Sequence, residues 1–154
     1  MEMLTIQNIQ TIYFDMDGTI ADLYGYDNWL QELRHGSCAP YAGAAPMLKL
    51  QPLARRLNKL QAAGLKLGIV SWLSKNSTVE YDEAVTQAKL EWLSKHLRSV
   101  QWDEIHIVPY GTPKEEIVDN PNGILFDDEE RNRNNWQGIA FDEKNIIEIL
   151  KAIA

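Results

Sequence analysis

Thr11-Ile12-Tyr13-Phe14-Asp15-Met16-Asp17-Gly18-Thr19 is a short apolar run that ends in two carboxylates one residue apart and then a glycine. Four successive residues of this type read as a buried strand. A two-residue step would keep Asp15 and Asp17 on one face if the strand continued, and Gly18 signals a turn that can aim both at one pocket. An aspartate so placed can attack phosphorus, and its neighbour can manage a proton.

Working outward, three more apolar runs, Lys66 to Val70, Glu104 to Val108 and Gly123 to Phe126, alternate with longer helical patterns. That alternation predicts a parallel sheet with crossover helices. Leu50, Leu53, Ala54, Leu57 and Leu60 repeat at helical spacing within Leu48 to Ala63, and Gly64 stands where that helix would end. Ser77-Thr78-Val79-Glu80 reads as a capping box for a helix carrying Tyr81, Ala84, Val85, Ala88 and Trp92 on one stripe and ending near His96. Near the C-terminus, Asp142 is expected to cap a helix whose Ile146, Ile149, Leu150 and Ile153 face the core. Asp22 to Pro46 is the irregular stretch, with Tyr24, Tyr26, Trp29, His35 and Tyr41 among three glycines. It is too short for a domain of its own and long enough for a helix and a loop over a pocket.

The other strand runs lead to groups that phosphoryl transfer uses. Ser71 is expected at the end of the second run, with Ser74 as its competitor for the hydroxyl role. Thr112-Pro113-Lys114-Glu115 reads as a capped helix start with Lys114 in its first turn, chosen over Lys66, Lys75 and Lys89. The last run leads straight into Asp127-Asp128. In an open α/β sheet, ligands bind outside the carboxyl ends of the strands, which gathers these groups in one crevice. Four aspartates there would repel a phosphate. Lys114 and a divalent cation supply three positive charges against four, and protonation of one aspartate brings the site near balance. Hard oxygen ligands favour magnesium.

On these residues the chain resembles the phosphatase branch of the haloacid dehalogenase superfamily, as a member with a minimal cap. The pattern D-x-D-G-T is matched by Asp15 to Thr19, the strand-closing hydroxyl by Ser71, the lysine beside a helix start by Lys114, and the acidic pair by Asp127-Asp128. They occur in family order between residues 12 and 128. The resemblance implies a three-layer α/β/α Rossmann-like fold with a central parallel sheet, one domain over 1–154 and a cap-like insert at about 22–46. It also implies a magnesium-dependent phosphatase that hydrolyses a phosphomonoester through an aspartyl-phosphate. By the same resemblance Asp15 is the nucleophile and Asp17 the general acid and base. Asp15, the backbone carbonyl of Asp17 and Asp128 hold Mg2+, while Asp127 orients Lys114 or a metal-bound water. Ser71 and Lys114 grip the phosphoryl group, helped by backbone amides after Asp15. Thr19 fits the pattern, and Asn132 supports the metal shell.

With 154 residues, 45% hydrophobic, the chain suits one globular domain. The net charge of -7 opposes general attraction to nucleic acid or an anionic membrane. Cys38 is the single cysteine, which excludes an internal disulfide and suits a reducing compartment. No apolar run is long enough to span a membrane, and Met1-Glu2-Met3-Leu4 lacks the layout of a signal peptide, so a cytoplasmic protein is expected. His35, His96 and His106 read as structural or solvated, Trp72 as a core or rim residue, and Glu129 to Arg133 as a charged surface turn. A small phosphorylated substrate is expected, with a nucleotide base as a stacking candidate for Tyr24, Tyr26 and Trp29. A nucleic-acid end or a phosphoprotein is the alternative substrate. A non-catalytic phosphate-binding protein of the same fold is the other rival, although it would not need the full set of site residues.

Overall fold

The computed structural model describes residues 8–75 and 77–153, so the N-terminal tetrapeptide considered above lies outside the described residues. In chain order the elements are β1 (Thr11–Phe14), β2 (Ala21–Asp22), a single 3-10 turn (Leu23–Gly25), α1 (Trp29–Arg34), α2 (Ala39–Gly43) and β3 (Ala45–Pro46). There follow α3 (Leu50–Ala62), β4 (Lys66–Trp72), α4 (Val79–His96), β5 (Glu104–Val108), α5 (Lys114–Ile117), β6 (Ile124–Phe126), α6 (Glu130–Asn135), β7 (Ala140–Phe141) and α7 (Ile146–Lys151).

Five strands form one parallel sheet in the order β5-β4-β1-β6-β7. The chain winds from β1 through β4 to the β5 edge and then returns to fill the other side. The C-terminal end of β1 is thus a point where the strand order reverses, the place where such sheets bind ligands. Period-two alternation splits the core. Ile12 and Phe14 face one side with Leu67, Ile69, Ile124 and Phe126, packed against Leu53, Leu57 and Leu60 of α3, Trp92 and Leu93 of α4, and Ile146 and Leu150 of α7. Tyr13 faces the other side with Val70, Leu125, Val118 and Trp136. The result is a three-layer α/β fold with a parallel central sheet, as expected, whose second helical layer is thin.

The stretch between β2 and β3 is closed at its base by the antiparallel pairing of Asp22 with Ala45. Its Leu23 and Tyr41 pack on Leu73 and on Val85 and Ala88 of α4. Trp92, 1% exposed, touches the same stretch by donating its indole N–H to the Ala44 carbonyl at 2.9 Å.

Several local expectations need correction. α4 is capped by Thr78, whose hydroxyl accepts from Tyr81 N, because Ser77 is engaged with the Asp82 side chain; Ala84 faces solvent. Thr112 caps nothing: its hydroxyl donates to the Pro109 carbonyl, and Pro113 occupies the cap position of α5. Asp142 closes a turn on Lys144 N, and α7 starts later, after Asn145. Glu130–Asn135 is a helix where a surface turn was expected. α3 starts two residues late, at Leu50, and ends as expected, with Gly64 at a φ of +102°.

Trp92→Ala should lower the unfolding free energy in urea by about 3–5 kcal/mol. Leu90→Ala, on the exposed side of the same helix, should cost less than about 0.5 kcal/mol. Equal effects would contradict this placement of α4.

Candidate active site

Asp15 follows β1 directly, is 7% exposed, and is fixed by its own backbone N–H donating to the Phe126 carbonyl at 2.9 Å. Its carboxylate receives Lys114 Nζ on Oδ1 at 3.0 Å and the Thr19 hydroxyl on Oδ2 at 3.1 Å. Thr19 is fully buried, and its oxygen also accepts from Asp128 N at 3.1 Å, so it stitches the first acidic pair to the second. Asp127 is fully buried and takes Lys114 Nζ at 2.6 Å, Glu129 N at 2.9 Å and Asn132 Nδ2 at 3.2 Å. The loop itself is tight: Thr19, Ile20 and Ala21 N–H groups all donate to the Met16 carbonyl. Gly18 has a φ of +80°, and a side chain there would strike the Asp128 carboxylate and the Tyr24 ring.

Carboxylate oxygens of Asp15, Asp127 and Asp128 lie within 4.8 Å of one another. Burial and then repulsion from Asp15 raise the Asp127 carboxyl above the usual range, against the pull of Lys114. Burial, followed by Asp15, pushes Asp128 up to about 8. Burial also raises Asp17, although Lys89 opposes it. Lys114 is 2% exposed; burial would lower it, yet Asp15 and Asp127 outweigh that and hold it above the usual lysine range. A cluster of hard oxygen donors that carries this unmet repulsion fits a divalent cation.

These groups floor a cavity of about 600 Å³ lined by Asp15, Asp17, Lys114, Asp127, Asp128 and Asn132. Tyr24, Trp29, Arg34 and Tyr41, from the stretch between β2 and β3, also line it, as do Trp72, Ser74, Lys75, Tyr81 and Tyr110. Tyr24 and Trp29 meet edge to face at 4.9 Å, and Trp72 and Tyr110 pack at 5.0 Å. Tyr26 is turned away, against Gly43. His96 packs on Trp92, His106 pairs with Glu104 at 2.8 Å and His35 closes α1, so none of the three lines the cavity.

Ser71 lies one residue before the end of β4, close to its expected position. β4 runs on to Trp72 through its pairing with β5, so Ser71 sits inside the strand opposite Ile107 and is fully buried. It points to the face covered by α4, as Leu67 and Ile69 do. There it meets a residue that sequence reasoning passed over. Lys89, 1% exposed, donates to Ser71 Oγ at 2.7 Å, the Trp72 carbonyl at 2.7 Å and Asp17 Oδ2 at 2.9 Å. The signal was present: Lys89 is four residues after Val85 and three before Trp92, on the apolar stripe of α4, where a lysine needs a buried partner.

Comparison with solved structures matches this architecture to D,D-heptose 1,7-bisphosphate phosphatase from Burkholderia thailandensis. The TM-score is 0.51 at 10% identity, over 92% of this chain and 96% of that one. At that identity the likeness is one of fold. The corresponding enzyme from B. bronchiseptica, complexed with magnesium and phosphate, aligns with a TM-score of 0.50 and 14% identity over 82% of this chain and 74% of that one. No family model matches the chain. No curated protein matches it either. Among the described residues, no helix is long and apolar enough to cross a membrane.

In EDTA the thermal midpoint should fall as the pH rises. The Asp128 carboxyl titrates near 8 in the folded protein but near about 4 in an unfolded chain, so between those limits the folded state holds a proton that the unfolded state has released. Asp128→Asn should make that slope shallower, with the remainder carried by the raised carboxyls of Asp127 and Asp17. Saturating Mg2+ should reduce it more in the wild type than in the variant; a slope unchanged by Asp128→Asn would remove Asp128 as a source.

Proposed function

We propose that this chain is a magnesium-dependent phosphatase that hydrolyses a phosphomonoester through an aspartyl-phosphate. The observation that carries the reading is Asp15: a buried carboxylate at the end of the central strand, held by Lys114 and Thr19 and within reach of two further carboxylates. Asp15, Asp128 and the backbone carbonyl of Asp17 would hold Mg2+, with Asp127 serving to place Lys114. Bound there, the ion neutralises the acid cluster and the phosphoryl oxygens, so that an anionic substrate can approach.

In this reading a carboxylate oxygen of Asp15 forms a bond to phosphorus as the ester P–O bond breaks, and Asp17 gives its proton to the departing oxygen. Water then attacks phosphorus, returns a proton to Asp17, and the Asp15–phosphorus bond breaks to release phosphate. Lys114 balances charge on the phosphoryl group. Among the amides after Asp15, those of Gly18 to Ala21 are consumed within the loop, which leaves Met16 and Asp17 N–H groups to bind its oxygens. Asn132 and Thr19 steady the carboxylates. Residues 22–46 act as a small cap on a single catalytic domain.

A nucleoside monophosphate is the substrate this reading favours. Its phosphate would sit on the acidic floor, with the base against the aromatic walls that Tyr24, Trp29, Trp72 and Tyr110 supply. The heptose phosphatases to which the fold is similar act on a small phosphorylated sugar, and that supports a small phosphomonoester.

Phosphate release from p-nitrophenyl phosphate should require Mg2+ and stop on adding EDTA. Asp15→Asn should lose at least about a thousandfold in kcat while keeping its circular dichroism spectrum. Full activity in either condition would sink the mechanism. Across a panel of nucleoside monophosphates, sugar phosphates and phosphorylated oligonucleotides, Trp29→Ala should raise KM for the nucleotides by about tenfold with kcat little changed. A preference for the oligonucleotides would point to a macromolecular substrate, and a flat panel to a binding protein.

A further inference from the structure

We propose that Lys89, braced by Ser71, is a positioning residue that fixes the Asp17 carboxylate in the orientation phosphoryl transfer uses, a role that rests on the phosphatase reading. A lysine head group has three N–H donors and no acceptor. All three are spent here, on Asp17 Oδ2 at 2.9 Å, Ser71 Oγ at 2.7 Å and the Trp72 carbonyl at 2.7 Å. The ring of Tyr41, from the stretch between β2 and β3, covers the ammonium at 5.1 Å.

Two consequences follow from donor and acceptor counting. Because Lys89 can only donate, Ser71 must accept, and its own hydroxyl hydrogen is left for another acceptor. Because Asp17 Oδ2 is taken, Oδ1 is the oxygen left to serve a ligand, and Asp17 lines the cavity with its side chain 16% exposed. In the reaction, the proton therefore passes from Oδ1 of Asp17 to the ester oxygen as the P–O bond breaks. Lys89 makes no bond to Asp15, and neither it nor the fully buried Ser71 lines the cavity, so it works through Asp17 and not on the phosphoryl group. Breaking a purely structural tie between α4 and this loop would act on folding and slow every substrate alike, because removing one partner of a buried pair destabilises the fold. A methionine at position 89 is thus the informative change.

The test compares wild type, Lys89→Met and Lys89→Arg, with Mg2+ present, on two substrates. p-Nitrophenyl phosphate has a leaving oxygen that needs little protonation, whereas glycerol 2-phosphate has one that needs a proton. Loss of Asp17 positioning should lower kcat/KM for glycerol 2-phosphate at least about tenfold more than for p-nitrophenyl phosphate, within the range general acid catalysis supplies. Lys89→Arg should fall between the other two. Beryllofluoride with Mg2+, which mimics a phosphoryl group on an aspartate, should raise the melting temperature of Lys89→Met as it does that of the wild type, since Asp15 and Lys114 are untouched. An equal fall for both substrates, or none, would overturn the role while leaving the phosphatase reading intact. If Lys89→Met gives no folding transition, Lys89→Arg decides by the same ratio. A wild type with neither phosphate release nor a beryllofluoride shift would remove the phosphatase reading and this role with it.

Discussion

Four carboxylates, Asp15, Asp17, Asp127 and Asp128, crowd the end of one buried strand, and their mutual repulsion is the constraint that the surrounding residues answer. Two unit charges about 4 Å apart interact by about 4 kcal/mol at the effective dielectric found near a protein surface. The same groups also lose hydration as they are buried. Lys114 bridges Asp15 and Asp127, and Lys89 pairs with Asp17. With a divalent cation, the two lysines bring four positive charges against four negative ones. Lys114 and the cation alone would leave one negative charge over, which a proton on an aspartate would have to cover. Lys89 supplies that charge, so that when Asp17 holds the proton it donates, one positive charge is left over for the phosphoryl group.

The sheet explains how the two lysines arrive from different directions. β1 is central, so the loop after it is flanked on one side by β4 and on the other by β6. Lys114 comes from the single turn of α5 and reaches Asp15 and Asp127, the residues that directly follow β1 and β6. Lys89 comes from α4, which covers the opposite face of the sheet, and reaches the loop past Ser71. The alternation along β4 decides this: Leu67 and Ile69 feed the main core, and the next residue on that face is Ser71. One serine in an apolar series thus gives a buried ammonium its third acceptor, where leucine would have left one donor unpaired.

The strands and the acidic pairs were legible because each depends on local pattern. Ile12 to Phe14 and Ile124 to Phe126 are continuous apolar runs, and an aspartate pair follows each. The sheet's parallel character followed from their alternation with α3 and α4. What escaped were features set by tertiary contacts. β7, two residues long, and the Ala21–Asp22 pairing with Ala45–Pro46 have too little length for a periodic signal. The three misplaced caps share one cause: Ser77, Thr112 and Asp142 each had a nearer partner than the helix amide they were expected to serve. Ser71 was placed at a strand end because an apolar run stopped there, but pairing with β5 carries the strand one residue past it. Lys89 was set aside because lysines are usually solvated. Its position on the apolar stripe of α4 was the evidence against that, and it weighs more than residue type when the neighbours on the stripe are Val85, Ala88 and Trp92.

The aromatic wall belongs to the same arrangement as the acidic floor. Gly18 leaves the space in which the Tyr24 ring lies, next to the Asp128 carboxylate. Any side chain at position 18 would force the ring or the carboxylate to move, and the positive φ would add strain. The turn that aims Asp15 and Asp17 therefore also sets how closely the stretch between β2 and β3 can approach them. Tyr41, from that same stretch, covers Lys89 and bonds Ser74 at 2.5 Å. The resulting cavity of about 600 Å³ is of the size that encloses a small molecule. Its floor and its wall cannot be varied independently, since the loop that holds the carboxylates is also the surface on which the aromatic wall rests.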